Sequence, residues 1–189
     1  MQLKSTDYRW GGIARSLHWL IAALIVTGAC IGLIMVELPK RPNIIWVFDL
    51  HKSIGLSVLA LAIARLLWRL FDRRPREPQM PRWQHWISRL VHGLLYLLIF
   101  ALPLSGWLFD SASGLRALHW FQLIEIPKLI APAPDLRDIT RLIHQSLFWV
   151  LLAALSLHVG AALKHHFIDR DNVLARMLPW RSRQLSNQP

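Results

Sequence analysis

Cysteine and charged side chains are scarce in this 189-residue chain. The single cysteine, Cys30, excludes a disulfide framework, a cysteine-based zinc site and an iron–sulfur cluster built from this chain alone. Charged residues make up 17% of the sequence and apolar residues 54%, a balance that excludes a disordered chain. The apolar excess over an ordinary soluble domain requires an apolar environment other than a water-soluble core.

Four long apolar runs account for this excess, at 18–38, 44–68, 90–109 and 142–163. A helix of about 20 residues crosses a hydrocarbon core of roughly 30 Å. Buried helices of a soluble bundle would show a polar stripe at helical period, and the last two runs have none and carry no charge. We therefore predict an all-α membrane protein, a four-transmembrane-helix bundle forming one domain over 1–189, with a flexible tail at 180–189.

The first run raises a question of processing. Basic residues before an apolar run also suit a signal peptide, and TGAC ending at Cys30 weakly resembles a lipoprotein cleavage box. Thr27 stands where that box needs an aliphatic residue, and the run continues apolar beyond Cys30. An uncleaved membrane anchor is the expectation.

Acidic residues are few, 11 against 22 Lys and Arg, and the net charge of +11 would suit a nucleic-acid binder. However, fifteen of the 22 basic residues fall before the first run, around the second connection and after the fourth run. Because positive charge marks the cytoplasmic side, this pattern predicts cytoplasmic N and C termini in a bacterial inner membrane, with no nucleic-acid partner. The third connection, 110–141, is long, and its apolar segment FQLIEIP is expected on the outer membrane surface.

Histidines inside the predicted spans are the main candidate functional residues, since ionisable side chains in a membrane are rare and usually functional. His144 and His158 are 14 residues apart, which places them on one helix face about 21 Å apart along the axis. The predicted topology puts His51 at the outer level with His144, and His18 at the inner level with His158. Two axial imidazoles from different helices suit a six-coordinate b-type haem, and without a CxxCH motif the haem would be non-covalent.

Small and cationic residues near these histidines fit such a cofactor. Small side chains that would let a flat ring approach the backbone, or simply serve helix packing, are Ala22, Gly55, Ala154 and Ala162. Possible propionate contacts at the inner level are Arg15, Arg65 and Lys164. Those at the outer level are Lys52, Arg137 and Arg141. Each of these cations could equally be a topology or snorkelling charge.

His92, on the third run, has no evident axial partner; a propionate, a quinone oxygen or another helix are equal alternatives. The other four histidines are predicted surface residues. They are His85, His119, His165 and His166.

Taken in order, five segments make the chain resemble the bacterial cytochrome b561 family, small four-helix relatives of the b-type subunits of nickel hydrogenases and formate dehydrogenases. The segments are SLHWL, HKSIGL followed by ARLLWRL, VHGLLYLLIFALPLSGWL, HQSL and SLHVGAALKHHFIDRDNVLARMLP. They cover roughly residues 8–179. The combination is specific, although each segment alone is weak.

This resemblance implies two b haems, the outer iron held by His51 and His144 and the inner iron by His18 and His158. It also implies membrane electron transfer with ubiquinone as partner. Some members resemble superoxide oxidases, which pass an electron from superoxide at the outer face through both haems to a quinone. On this basis the chain is expected to be an electron-transfer cytochrome of the respiratory chain, with superoxide:ubiquinone oxidoreductase activity as one form.

Two other functions remain open at this point. The chain could be the membrane anchor and quinone-reducing cytochrome b subunit of a larger dehydrogenase. It could also be a membrane metal-site protein or transporter, but the histidines divide between two levels about 21 Å apart instead of converging on one. The physiological donor is undetermined, and the sequence leaves both a monomer and a homodimer open.

Overall fold

Four long helices dominate the computed structural model, which describes residues 2–39, 41–76 and 80–178. The predicted flexible tail, 180–189, lies outside the described residues. All four helices are long and apolar enough to cross a membrane, α2 together with the short 3-10 turn Pro42–Ile44 before it. They are α1 (Gly12–Glu37), α2 (Ile45–Phe71), α3 (Arg82–Ser113) and α4 (Pro134–Phe167).

The helices are longer than the apolar runs that predicted them, most of all at the N-terminal ends of α3 and α4. α3 begins eight residues before the run at 90, and α4 begins eight residues before the run at 142. Hydropathy detects only the part of a helix that lies in hydrocarbon, while hydrogen bonding continues the helix into the interface. The third connection therefore spans 114–133 and not 110–141 as predicted.

That connection contains a β-hairpin that the sequence analysis did not predict. Strand β1 (Leu118–Trp120) pairs antiparallel with β2 (Ile124–Ile126), with Trp120 opposite Ile124. Most of the segment FQLIEIP thus lies in the turn and the second strand. The hairpin is fastened to α2, because the Phe121 backbone N–H donates to the buried Ser53 hydroxyl at 2.9 Å and Trp120 Nε1 donates to Ser57 Oγ at 3.0 Å.

Helix α3 ends at Gly114, whose φ of 61° lies in the left-handed region. A Cβ at this position would lie 2.7 Å from the Pro132 Cβ. We expect Gly114→Ala to lower the free energy of unfolding by about 1–3 kcal/mol, because it combines backbone strain with a clash against a rigid ring. Thermal unfolding in detergent measures the effect. Gly93→Ala is the control, since its Cβ would meet no atom within 4 Å, and equal melting temperatures for the two variants would contradict the prediction.

The helices pack as two pairs. α1 packs along α2 and α3 along α4, with α2 also touching α3, whereas α4 makes only sparse contact with α1 or α2. The buried centre is formed by Leu98 of α3 with Leu151 and Ala154 of α4. Large apolar side chains cover the outside of the bundle, which is the arrangement that lipid favours.

The two ends of the bundle are distinguished by the segments that lie there. At the terminal end, the segment before α1, the α2–α3 connection and the segment after α4 meet: the Ser5 hydroxyl donates to Asp72 at 2.6 Å, and Arg9 donates to the Leu178 carbonyl at 3.0 Å. At the hairpin end, the Leu129 N–H donates to the fully buried Ser111 hydroxyl at 3.0 Å. The terminal end is the predicted inner side.

Candidate functional site

Four histidines form two pairs at different depths in the bundle. His51 of α2 faces His144 of α4 near the hairpin end, and His18 of α1 faces His158 of α4 near the terminal end. The ring centres are 6.3 Å apart in both pairs, and the ring planes are inclined at 88° and 74° respectively. These are the two pairs that the depth argument predicts.

The spacing within each pair suits a single metal held between two imidazoles. A metal–imidazole bond is about 2.0 Å, and the ring centre lies about 1.1 Å behind the bonding nitrogen, so two opposed ligands have centres roughly 6.2 Å apart. Edge-to-face ring contact also allows centre separations of about 4.5–7 Å, so the distance alone does not select a metal; the Nδ1 bonds described next favour it for the hairpin-end pair. The residues present therefore fit a bis-imidazole metal group at each level.

Both rings of the hairpin-end pair rest against glycine and bond to backbone. His51 Nδ1 donates to the Gly28 carbonyl at 3.0 Å, and its Cε1 would lie 3.0 Å from a Cβ at Gly32. His144 Nδ1 reaches the Leu102 carbonyl at 3.1 Å, and its Cε1 would lie 3.0 Å from a Cβ at Gly106.

In each case the carbonyl belongs to the residue four positions before the glycine. Since glycine has no side chain, that helical carbonyl is open to a second donor. We call each carbonyl with its glycine a glycine seat. With Nδ1 as the donor, Nε2 keeps its lone pair for a metal.

The terminal-end pair has different surroundings. The Arg65 guanidinium lies 2.9 Å from His18 Nδ1, and because arginine only donates, this nitrogen accepts. A neutral ring then carries its proton on Nε2, so His18 can ligate a metal through Nε2 only after Arg65 releases Nδ1 and the proton moves there. His92 of α3 lies edge-on to His158, with ring centres 5.2 Å apart, and its Nδ1 is 3.2 Å from the Ser88 hydroxyl. A third imidazole therefore adjoins this pair, and His92, which carries it, is exposed.

Two cations of α2 converge beside the terminal-end pair. Arg69 donates to the Tyr96 hydroxyl at 2.7 Å and lies 4.9 Å from the centre of its ring, and Arg65 lies 5.8 Å from the same centre. Tyr96 is one turn beyond His92 on α3. Neither arginine forms an ion pair with any described residue. A guanidinium in a membrane span is stabilised by a counter-ion, so the two arginines favour binding of an anion here.

Space exists where a flat group would have to enter. α4 carries one histidine of each pair and yet makes only sparse contact with α1 and α2, which carry the other two. A Cβ at Gly55, one turn beyond His51, would meet no atom within 4 Å.

Other predicted contact residues are engaged elsewhere or exposed. Arg15 is buried and donates to the Leu178 carbonyl at 3.0 Å, while its Nε has no partner among the described residues. Lys164 pairs with Asp169 at 2.6 Å. Lys52 is shared between Asp49 at 3.1 Å and Asp110 at 3.2 Å. Arg141 is exposed on α4, one turn before His144.

Several residues of this site escaped the sequence analysis. Gly28 and Gly32 have the spacing of ordinary helix-packing glycines, and nothing in the sequence marks a carbonyl as a histidine acceptor. Tyr96 and Arg69 could have been found, because each follows a singled-out residue, His92 and Arg65, by one helical turn.

A separate cluster, His165 with Asp169 and Asp171, could also hold a metal ion, since its ligand atoms all lie within 4.8 Å. Its groups are already paired: His165 Nδ1 is 2.6 Å from Asp171, and the Lys164 ammonium neutralises Asp169. The cluster therefore fastens the segment after α4 to the helix end.

Comparison with known proteins gives consistent results. A family model described as prokaryotic cytochrome b561 matches residues 9–180. Cytochrome b561 homolog 2 of Escherichia coli K12 is 34% identical over 94% of this chain and 95% of its own length. Cytochrome b561 homolog 1 of the same organism is 28% identical over 87% and 94%. A probable superoxide oxidase, CybB, of Yersinia pestis is 32% identical over 86% and 92%.

Proposed function

We infer the function from the family to which the chain belongs: it is a member of the prokaryotic cytochrome b561 family, a multi-pass membrane protein that transfers electrons. We propose that it holds two non-covalent b-type haems and carries electrons from a donor at the hairpin end to a quinone at the terminal end. The observation that carries this proposal is the pair of facing histidines, 6.3 Å apart, at each of two depths.

In this proposal the four histidines would hold the two irons. His51 and His144 hold the hairpin-end iron, and His18 and His158 hold the terminal-end iron. A bound haem supplies reversible one-electron chemistry. With two imidazoles on each iron, the histidines would leave no position for an oxygen species, so they would restrict the group to electron transfer.

The side chains between the two levels keep the electron path dry. Leu98, Leu151 and Ala154 are almost fully buried at mid-depth, and Ile25 and Leu147 pack against them. Close-packed aliphatic side chains exclude water, so charge exchange with solvent is confined to the two ends.

At the terminal end, Arg65 and Arg69 provide the positive charge that haem carboxylates or a reduced quinone require. His92 and the Tyr96 hydroxyl are one turn apart on α3 and can each donate a hydrogen bond to a quinone oxygen. His92 is exposed at the surface, where a lipid-soluble quinone arrives. Arg15 adds a buried guanidinium one turn from His18.

Superoxide is the proposed donor at the hairpin end, supported by the similarity to the probable superoxide oxidase. Lys52 shares Asp49 with Arg116 and Asp110 with Lys128, so these three cations and two carboxylates keep one net positive charge. Attraction of an anion falls mainly to the exposed Arg137 and Arg141, two turns and one turn before His144. Two superoxide ions each lose one electron to become dioxygen. One quinone takes both electrons and two protons to become quinol.

The excess of Lys and Arg at the terminal end supports a cytoplasmic location for that end in the bacterial inner membrane. The matched relatives have nearly the same length as this chain, which favours a small cytochrome over the membrane anchor of a larger dehydrogenase. Family membership likewise favours electron transfer over a metal transporter.

A reduced-minus-oxidised spectrum of the purified protein, with pyridine haemochrome quantitation, is the first test. We expect a low-spin b-type spectrum and two haems per chain. Addition of superoxide should then reduce both haems and produce one quinol for every two superoxide ions consumed. Absence of haem would overturn the cytochrome proposal, whereas haem that superoxide cannot reduce would overturn the donor alone.

The glycine seat of His144 allows a selective test of the hairpin-end haem. We expect Gly106→Val to reduce occupancy of that haem severalfold, because a branched side chain must displace an imidazole that already lies 3.0 Å from the Cβ position. Haem quantitation checks this effect. Gly160→Val is the matched control, since its Cβ would meet no atom within 4 Å, and equal haem content in the two variants would contradict the role of the seat.

A further inference from the structure

The β-hairpin turns through two residues that are not glycine. Phe121 and Gln122 have φ of 46° and 59°, in the left-handed region that side-chain-bearing residues rarely adopt. The Leu123 N–H donates to the Trp120 carbonyl at 2.9 Å, which closes the turn. Hairpin turns with two such residues strongly favour glycine, so this turn depends on contacts outside itself. Its backbone and its tryptophan make these contacts with α2.

Two serines of α2 connect the hairpin to the helix backbone. Ser53 Oγ accepts from the Phe121 N–H and donates to the Asp49 carbonyl at 2.8 Å. Ser57 Oγ accepts from Trp120 Nε1 and donates to the Ser53 carbonyl at 2.9 Å. We call such a path, from an outside N–H through a serine hydroxyl to a helical carbonyl, a serine relay. Because each hydroxyl both accepts and donates, the two bonds of a relay strengthen each other.

The two relays act on the part of α2 that carries His51. Their carbonyls belong to Asp49 and Ser53, two residues before and two residues after His51. A serine that bonds back to the carbonyl four residues earlier bends a helix locally. Two residues along a helix correspond to a rotation of about 200°, so the relays hold the face of α2 that lies opposite to His51. Holding that face fixes the direction in which the imidazole points.

We propose that Ser53, supported by Ser57, is a positioning residue for His51: through the serine relays the β-hairpin sets the rotation of α2 and so the orientation of this imidazole. The inference rests on the proposed function, in which His51 holds the hairpin-end iron. Ser53 is 1% exposed, so water does not replace the hairpin N–H as its donor. The third connection thereby contributes to the haem site without touching it.

The variant Ser53→Ala tests the proposal in a His158→Ala background, where only the hairpin-end haem is expected. We expect the low-spin electron paramagnetic resonance signal to shift, because it depends on the orientation of the axial imidazoles. Transfer of the haem to apomyoglobin should be about tenfold faster, since one buried hydrogen bond is worth roughly a factor of ten. Amide hydrogen exchange at residues 49–57 should rise as well.

The matched control is Ser111→Ala. Ser111 is fully buried and forms a serine relay on α3, accepting from the Leu129 N–H and donating to the Trp107 carbonyl at 2.8 Å. Since α3 carries neither histidine of the hairpin-end pair, this variant should loosen the hairpin end but leave the resonance signal in place. If Ser53→Ala does not fold, Ser57→Ala removes the half-buried relay and should give a smaller shift of the same kind.

The outcomes separate this inference from the function on which it rests. Absence of haem from the unsubstituted protein would overturn the cytochrome proposal and the positioning role together. A bound haem whose signal is unshifted by Ser53→Ala, or shifted equally by Ser111→Ala, would overturn the positioning role alone. Unchanged hydrogen exchange at residues 49–57 would show that the relays do not hold α2, whether or not haem is bound.

Discussion

Replacing His144 by alanine is expected to lower the haem content of the purified protein from two per chain to one. His144 faces His51 alone at its level, and the terminal-end pair lies about 21 Å away along α4, so only one site loses a ligand. Pyridine haemochrome quantitation against protein mass measures the change. His119→Ala, in the β-hairpin at the same end, removes an imidazole that belongs to neither pair and should retain both haems.

The same reasoning predicts how these substitutions combine. His51→Ala should remove the same haem as His144→Ala, so the double variant should still hold one haem and not fewer. His18→Ala or His158→Ala should remove the other haem, and His18→Ala combined with His51→Ala should leave none. Retention of two haems by His144→Ala, or loss of both, would disprove the assignment of ligands by depth.

Replacing Arg65 by glutamine is expected to lower the midpoint potential of the terminal-end haem by several tens of millivolts. Removing a positive charge next to His18 destabilises the electron-richer reduced state. At an effective dielectric constant of about 20, one charge at roughly 8–10 Å contributes about 2 kcal/mol, which a one-electron couple registers as tens of millivolts. Spectroelectrochemical titration of the purified protein resolves the two haems.

Controls separate this electrostatic effect from damage to the site. Arg65→Lys keeps the charge and should restore most of the potential, which a purely structural role of the guanidinium would not allow. Arg73→Gln removes an exposed charge from the α2–α3 connection and should leave both potentials in place. A shift confined to the hairpin-end haem would contradict the placement of Arg65.

The helices and the pairing of the histidines follow from properties that the sequence carries directly. Apolar length determines which segments can span, and the 14-residue interval between His144 and His158 determines the two depths. The β-hairpin does not follow, because its three-residue strands depend on tertiary bonds such as the one from Phe121 to Ser53. The pairing of Lys52 with Asp110 does not follow from the sequence for a similar reason, since the two residues are 58 positions apart.

The glycine seats show a further limit of prediction. A glycine in a membrane helix is commonly there to let another helix approach, and only the location of the His51 and His144 rings reveals that these glycines expose a carbonyl. The identity of the acceptor depends on how helices that are distant in sequence are rotated against each other. Pattern and spacing within a single helix do not contain that rotation.

The sparse contact of α4 with α1 and α2 has a consequence for the life of the protein in the cell. α2 and α3 join the two helix pairs along one side, while α4 meets α1 and α2 mainly where the imidazoles face each other, so a cofactor bound there would complete the assembly. We expect a cell short of haem to make a chain whose halves hinge apart and are cleared by membrane proteases. The amount of intact protein would then track the amount of cofactor, a form of quality control built into helix packing.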